Sequence, residues 1–139
     1  MGDSMVLGSV NHIGLTVSDM ARAAGFYEAL LSHLGYARVD DTPKHILWAG
    51  PGGALGISPV RPELAERRHD RYAIGLHHLA FHAPSRADVD AAFAQLQALG
   101  AEVTDAPAEY DYLPGYYAVY FLDPDGIKLE VAHTPGFPA

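Results

Sequence analysis

The sequence predicts an α+β fold made of one βαβββ unit used twice. Two observations carry that reading: the chain repeats itself, and within each repeat the apolar spacing passes from the strand period to the helix period and back. Laying "VNHIGLTVSDMARAAGFYEALLSHLG" (10–35) over "LHHLAFHAPSRADVDAAFAQLQALG" (76–100) matches His12 with His78, a shift of 78 − 12 = 66 residues, and with it Ala21 with Ala87 and Leu30 with Leu96. One extra residue in the first copy then restores the match of Leu34-Gly35 to Leu99-Gly100.

Each copy opens on an alternating strand. A helix cap follows, Asp19 or its neighbour Ser18 in the first copy and Ser85, with Asp88 three residues on, in the second. The helices carry Ala23, Phe26, Leu30 and Leu34, and Val89, Phe93, Leu96 and Leu99, at helical spacing, and a Gly closes each. Beyond the Gly come the strand-like stretches "YARVD", "HILWAG" and "ALGIS" in one copy and "AEVTD", "YYAVYFL" and "GIKLEVA" in the other. The turns "GPGG" (50–53) and "DPDG" (123–126) fall in corresponding places. The first unit is expected over residues 8–62 and the second over 75–134. Between them "VRPELAERRHDRY" (60–72) is charged and has no strand period, so residues 63–74 read as a linker or mobile loop whose arginines form a solvated face.

At 139 residues, 49% of them apolar, the chain suits one domain with a real core. Nine Lys and Arg against seventeen Asp and Glu leave a formal charge of −8, so nucleic acid and anionic membrane surfaces are poor partners. No apolar run approaches the roughly 18 residues that span a bilayer. "MGDSMVLGSV" lacks a charged segment followed by a long apolar one, and Val6 breaks the myristoylation pattern, so a cytoplasmic protein is expected. With no cysteine, disulfides, thiolate ligands and a Cys nucleophile are excluded, and any metal must be held by His, Asp or Glu.

Strand parity places the polar residues. Ile13, Leu15 and Val17 are expected on the helix side of the first strand, leaving His12, Gly14 and Thr16 on the other face. In the second copy Leu79 and Phe81 take the helix side, leaving His78, Ala80 and His82. In the last strand Ile127, Leu129 and Val131 take it, leaving Lys128, Glu130 and Ala132. His12, His78 and Glu130 therefore all project from helix-free faces. An ionised carboxylate between Leu129 and Val131 is costly unless a cation or several donors meet it. Two imidazoles and one carboxylate suit a borderline divalent cation with open positions for water or substrate. Tyr120, on the same side of its strand as Tyr116 and Ala118, faces the cleft beside Glu130 if the "DPDG" turn keeps register. Tyr120 and His82 are candidate acid/base or substrate-binding groups beside Glu130, and Trp48 and His45 are candidates to line the same cleft.

The "NHIGLTVSDMARAAGFYEALLSHLGY" and "YFLDPDGIKLEV" stretches, with the duplication, resemble the vicinal oxygen chelate superfamily, which includes glyoxalase I, fosfomycin resistance proteins, extradiol dioxygenases, methylmalonyl-CoA epimerase and bleomycin resistance proteins. The resemblance covers about residues 8 to 134. It implies paired βαβββ modules forming a curved mixed sheet around a metal-binding cleft, with a divalent cation (Fe, Mn, Ni, Zn or Mg) held by His12, His78 and Glu130. It also implies a homodimer, with His12 from one chain meeting His78 and Glu130 of the other, and a small-molecule substrate bound through its oxygens. The fourth ligand general in glyoxalase I and the epimerase is not matched: parity puts Ser58, and gapless alignment Ile57, at the place mirroring Glu130. "APAEYDYLPGYYAVYF" stands where fosfomycin transferases carry a polar phosphonate grip, and Asp111 and Tyr112 where dioxygenases usually carry a further His. A metal-dependent glyoxalase-like enzyme of the lyase or isomerase type is thus expected. An extradiol-type dioxygenase and a non-catalytic drug-binding protein of the bleomycin resistance type are the alternatives.

Overall fold

The computed structural model describes residues 6–137. Residues 1–5, on which part of the expectation about the N-terminus rests, lie outside them. The elements run β1 (His12–Val17), α1 (Met20–His33), β2 (Ala37–Thr42), β3 (His45–Gly50), β4 (Gly53–Pro59), one 3-10 turn (Pro62–Leu64), β5 (Leu79–His82), α2 (Arg86–Leu99), β6 (Glu102–Glu109), β7 (Tyr117–Leu122) and β8 (Lys128–His133). This is βαβββ given twice, in an α+β protein. The chain divides into two compact units, one ending at Glu66 and one beginning at Arg67. Each unit forms its own mixed sheet of four strands, in the orders β1-β4-β3-β2 and β5-β8-β7-β6. In both, the opening strand runs parallel to the last, and the remaining three strands form an antiparallel meander.

In the first unit Asp19 caps α1, its side chain accepting from Arg22 N at 3.0 Å, which satisfies one of the donors a helix start leaves open. Ala23, Phe26, Tyr27, Leu30 and Leu31 are buried along the helix, and Leu15, Val17, Ile46, Leu55 and Ile57 are buried in the strands. Trp48 joins this core. It is fully buried, its ring centroid lies 6.3 Å from that of Tyr27, and its Nε1 donates to Glu28 Oε1 on α1 at 2.9 Å. The cleft role weighed for Trp48 is therefore corrected, because β3 alternation sends Ile46 and Trp48 to the helix and leaves His45, Leu47 and Ala49 on the other face.

In the second unit Ser85 caps α2, its Oγ accepting from Asp88 N at 3.2 Å, and Gly100 ends the helix in the left-handed region at φ 78°. Val89, Ala92 and Leu96 are the buried helix positions; Phe81, Val119, Phe121, Leu129 and Val131 are buried in the strands, and Ile127 just before β8. The β7–β8 turn is organised by Asp123, a buried carboxylate whose Oδ1 accepts from Asp125 N at 2.8 Å and Ile127 N at 2.9 Å. That turn holds Tyr120 directly opposite Glu130. β6 is an edge strand with register shifts at Val103/Asp105 and Asp105/Ala108. An edge with bulges accommodates Pro107, which a central strand would not, and the chain then leaves the sheet into the segment that carries Tyr110 and Tyr112.

Candidate metal centre and its cavity

Glu130 occupies the middle of β8, where Ala80 of β5 and Tyr120 of β7 are its register partners. Leu129 and Val131 point to the α2 side and Glu130 to the other, yet all three are buried, Glu130 at 0% exposure. The carboxylate is held on one side only. Its Oε2 accepts a hydrogen bond from the Tyr116 hydroxyl, which itself takes one from Tyr120. Its Oε1 is buried with no hydrogen-bond partner, although His78 Nε2 lies 3.2 Å away. Two donor atoms at that spacing with no proton aligned between them fit a divalent cation, whose neighbouring ligands stand about 3.0–3.4 Å apart when each bond is about 2.1 Å. The other nitrogen of His78 is 2.7 Å from His77 Nδ1. If His78 Nε2 is to keep its electron pair for a cation, Nδ1 must be the donor in that contact. Desolvation first, then the charges of His78, Arg71 and Lys128, pushes the His77 pKa down and suits it to the acceptor role.

His12 opens β1 in the first unit, exposed on the strand face opposite Ile13. Its Nδ1 lies 2.8 Å from Asn11 Oδ1, a contact that puts the proton on Nδ1 and leaves Nε2 as the potential ligand atom. Among the described residues no group of three or more His, Asp or Glu side chains is arranged to hold a metal ion; the structure joins His78 to Glu130 and goes no further. The strand registers also correct the position that mirrors Glu130. Gly14 and Leu47 both pair with Gly56 in the first sheet, as Ala80 and Tyr120 pair with Glu130 in the second. Gly14 stands two residues after His12, as Ala80 stands two after His78. The equivalent position is therefore Gly56, neither Ser58 nor Ile57. A Cβ on Gly56 would come within 2.7 Å of His45 Nε2, so no fourth ligand side chain is supplied there.

Every residue lining the cavity beside Glu130, about 570 Å3, belongs to the second unit. One wall is aromatic. Tyr110 and Tyr112 stack at 5.5 Å with 4° between their planes, Tyr116 meets Tyr112 edge-on at 5.1 Å, and Tyr120 meets Tyr110 edge-on at 5.5 Å. The polar part of the lining is Arg71, His77, His78, Asp105 and Lys128. Burial, and then the bond to Glu130, pushes the Tyr116 phenol up to about 12. Burial, followed by the bond to Tyr116, drives Tyr120 further above the ordinary phenol range. Both therefore stay protonated near neutral pH and act as hydrogen-bond donors. His82 is exposed at the end of β5, roughly 13 Å along the extended chain from His78, and does not line this cavity.

Sequence reasoning passed over Tyr110, gave Tyr116 no role, and read Arg71 with the other linker arginines as a solvated face rather than an anion clamp. Tyr116 shares the parity of Tyr120, and that was the available signal. Tyr110 lies beyond the register shifts of β6, which no spacing rule follows. Arg71, read as part of a solvated face, lines the cavity instead, because the chain folds back between residues 69 and 76 through a His69 Nε2 to Leu76 O contact of 3.0 Å.

A sequence profile of the Glyoxalase/Bleomycin resistance protein/Dioxygenase superfamily matches residues 9–131, and the chain belongs to that superfamily. It is 34% identical to the uncharacterized protein YqjT of Bacillus subtilis over 123 residues, which is 88% of this chain and 96% of that one. It resembles the crystal structure of a glyoxylase/bleomycin resistance protein/dioxygenase domain from Frankia sp. EAN1pec, with a TM-score of 0.77, 26% identity and coverage of 93% of each chain. A lactoylglutathione lyase from Agrobacterium tumefaciens shares the fold, with a TM-score of 0.67, 22% identity, and coverage of 91% of this chain and 93% of that one.

Proposed function

We propose that the protein is a divalent-metal-dependent enzyme of the lyase or isomerase type acting on a small oxygenated organic molecule, with the metal held by His12, His78 and Glu130. One observation carries the reading: Glu130 Oε1 is buried without a hydrogen-bond partner, 3.2 Å from His78 Nε2. A buried acceptor left this way costs about 1–3 kcal/mol or more, and a cation is the ligand that repays it. The chemistry such an ion supplies when bound is Lewis-acid stabilisation of negative charge developing on substrate oxygens. Tyr116 fixes the rotamer of Glu130 by holding Oε2, so that Oε1 faces His78. Glu130, once released by the cation, would be the acceptor for a substrate proton, and the Tyr120 hydroxyl would donate to a substrate oxygen in place of Tyr116. His82, exposed at the end of β5 and outside the cavity lining, is the solvent-side acid/base candidate.

A second reading, ligand binding without chemistry, is favoured by the four-tyrosine wall and by the absence, among the described residues, of a three-ligand group. Elemental analysis of protein purified without a His-tag separates the two. About one metal ion per chain is expected, and protein reconstituted anaerobically and then screened in air is expected to show no oxygen uptake. Oxygen uptake would move the assignment to a dioxygenase, and a protein that stays metal-free yet binds aromatic ligands would establish the second reading.

A further inference from the structure

We propose that the Arg71–Lys128 end of the cavity is a subsite for the carboxylate of a flat, conjugated substrate whose second oxygen function reaches the His78–Glu130 end; this deepens the reading above and rests on it for the far end of the substrate. Arg71 and Lys128 line the same cavity as His78 and Tyr120. Neither cation is ion-paired among the described residues. Their heads are nonetheless fixed by aromatic rings: the Lys128 ammonium lies 4.5 Å from the centre of Tyr120, and the Arg71 guanidinium 4.5 Å from that of Tyr72, whose hydroxyl it also contacts. Two cations held at one cavity with no carboxylate in ion-pair contact repel each other, and an anion entering between them turns that repulsion into attraction.

The charge count sets the class of anion. Asp105 lines the same cavity and the Glu130 charge also reaches Lys128, so the two cations leave little net positive charge there, which favours a singly charged carboxylate over a phosphate or phosphonate dianion. The strand sets the length. Lys128 and Glu130 are two residues apart on one face of β8, about 7 Å, so the substrate's two functions are separated by little more than one ring. The wall sets the shape. Stacked Tyr110 and Tyr112, with Tyr116 and Tyr120 edge-on to them, offer ring faces and edges that favour a planar, conjugated body.

The probes are benzoate, its neutral isostere benzamide, and phenylphosphonate, titrated calorimetrically into the full-length protein both metal-loaded and chelator-treated. Benzoate is expected to bind at millimolar concentration or tighter in both forms and to be preferred over the other two. Arg71→Gln and Lys128→Gln should each weaken benzoate about tenfold while leaving benzamide unchanged, and Lys128→Arg should keep the preference. Melting temperature and metal content equal to wild type show that each variant is folded and that the metal ligands are undisturbed. Equal affinity for benzamide, tighter phenylphosphonate binding, no benzoate binding, or no loss in either glutamine variant overturns the proposal. A protein that takes up no metal yet prefers benzoate overturns the metal assignment and leaves the anion subsite standing. One that binds metal but does not distinguish the probes does the reverse.

Discussion

Glu130 and Glu28 show how the same side chain is settled by opposite means. Glu28 sits on α1 and is half-exposed, with Trp48 Nε1 at 2.9 Å and Arg38 Nε at 3.0 Å on one oxygen, Oε1. The Trp48 bond, more than Arg38, holds its pKa below the ordinary value of 4.5. A depressed carboxylate contributes stability that is fully present above that ordinary value and is lost as the pH falls through the lower folded one. Glu28→Ala leaves the buried indole N–H without an acceptor and should cost about 1–3 kcal/mol. Trp48 is the chain's single tryptophan, so its emission reports the change directly. An unaltered spectrum and denaturation midpoint would show that the bond is not made in solution. Glu130 has no such cation among its protein partners, and Tyr116 satisfies only one of its oxygens. The other oxygen of Glu28 lies in water, whereas Glu130 Oε1 is buried, and that difference supports the proposed ligand at Glu130.

At the scale of elements, the β7–β8 hairpin determines whether Tyr120 and Glu130 meet at all. Asp123 Oδ1 closes the turn by accepting from two backbone N–H groups, that of Ile127 in a buried bond. Asp123→Ala leaves both donors open and should destabilise the second unit by about 1–3 kcal/mol, with Asp123→Asn losing less because its amide oxygen still accepts. A change under about 0.5 kcal/mol in the urea midpoint for the alanine variant would show that the turn is held by other contacts. Much of this element was legible in the sequence. "DPDG" marks the turn, and alternation through Leu129, Glu130 and Val131 sets which face Glu130 occupies. Both helix caps, Asp19 and Ser85, were legible for the same reason, that their chemistry is local. Pairing across strands was not. It took the β1–β4 ladder to place Gly56 opposite Gly14, and the irregular β6 to bring Tyr110 beside Tyr120. Trp48 was weighed for the cleft because spacing left the register of its strand open, whereas the structure satisfies its N–H inside the core with Glu28.

For the whole molecule, the ligand set His12, His78 and Glu130 draws on both units, and we propose that it is completed in a homodimer with His12 from one chain and His78 with Glu130 from the other. Light scattering at micromolar concentration should give twice the chain mass. Mixing His12→Ala chains with Glu130→Ala chains, each unable to bind metal alone, should restore binding, because one site of each mixed dimer keeps all three ligands. A monomer, or a mixture that stays metal-free, removes the shared site. The metal assignment itself is tested most directly by the thermal stability of wild type and Glu130→Ala with and without chelator. A ligand bound only by the folded protein raises its stability, so chelator should lower the wild-type melting temperature. It should leave Glu130→Ala unmoved, at or above the chelated wild type, because the variant has lost both the anionic ligand and the uncompensated buried oxygen. Equal lowering of both melting temperatures by chelator would show that Glu130 holds no metal.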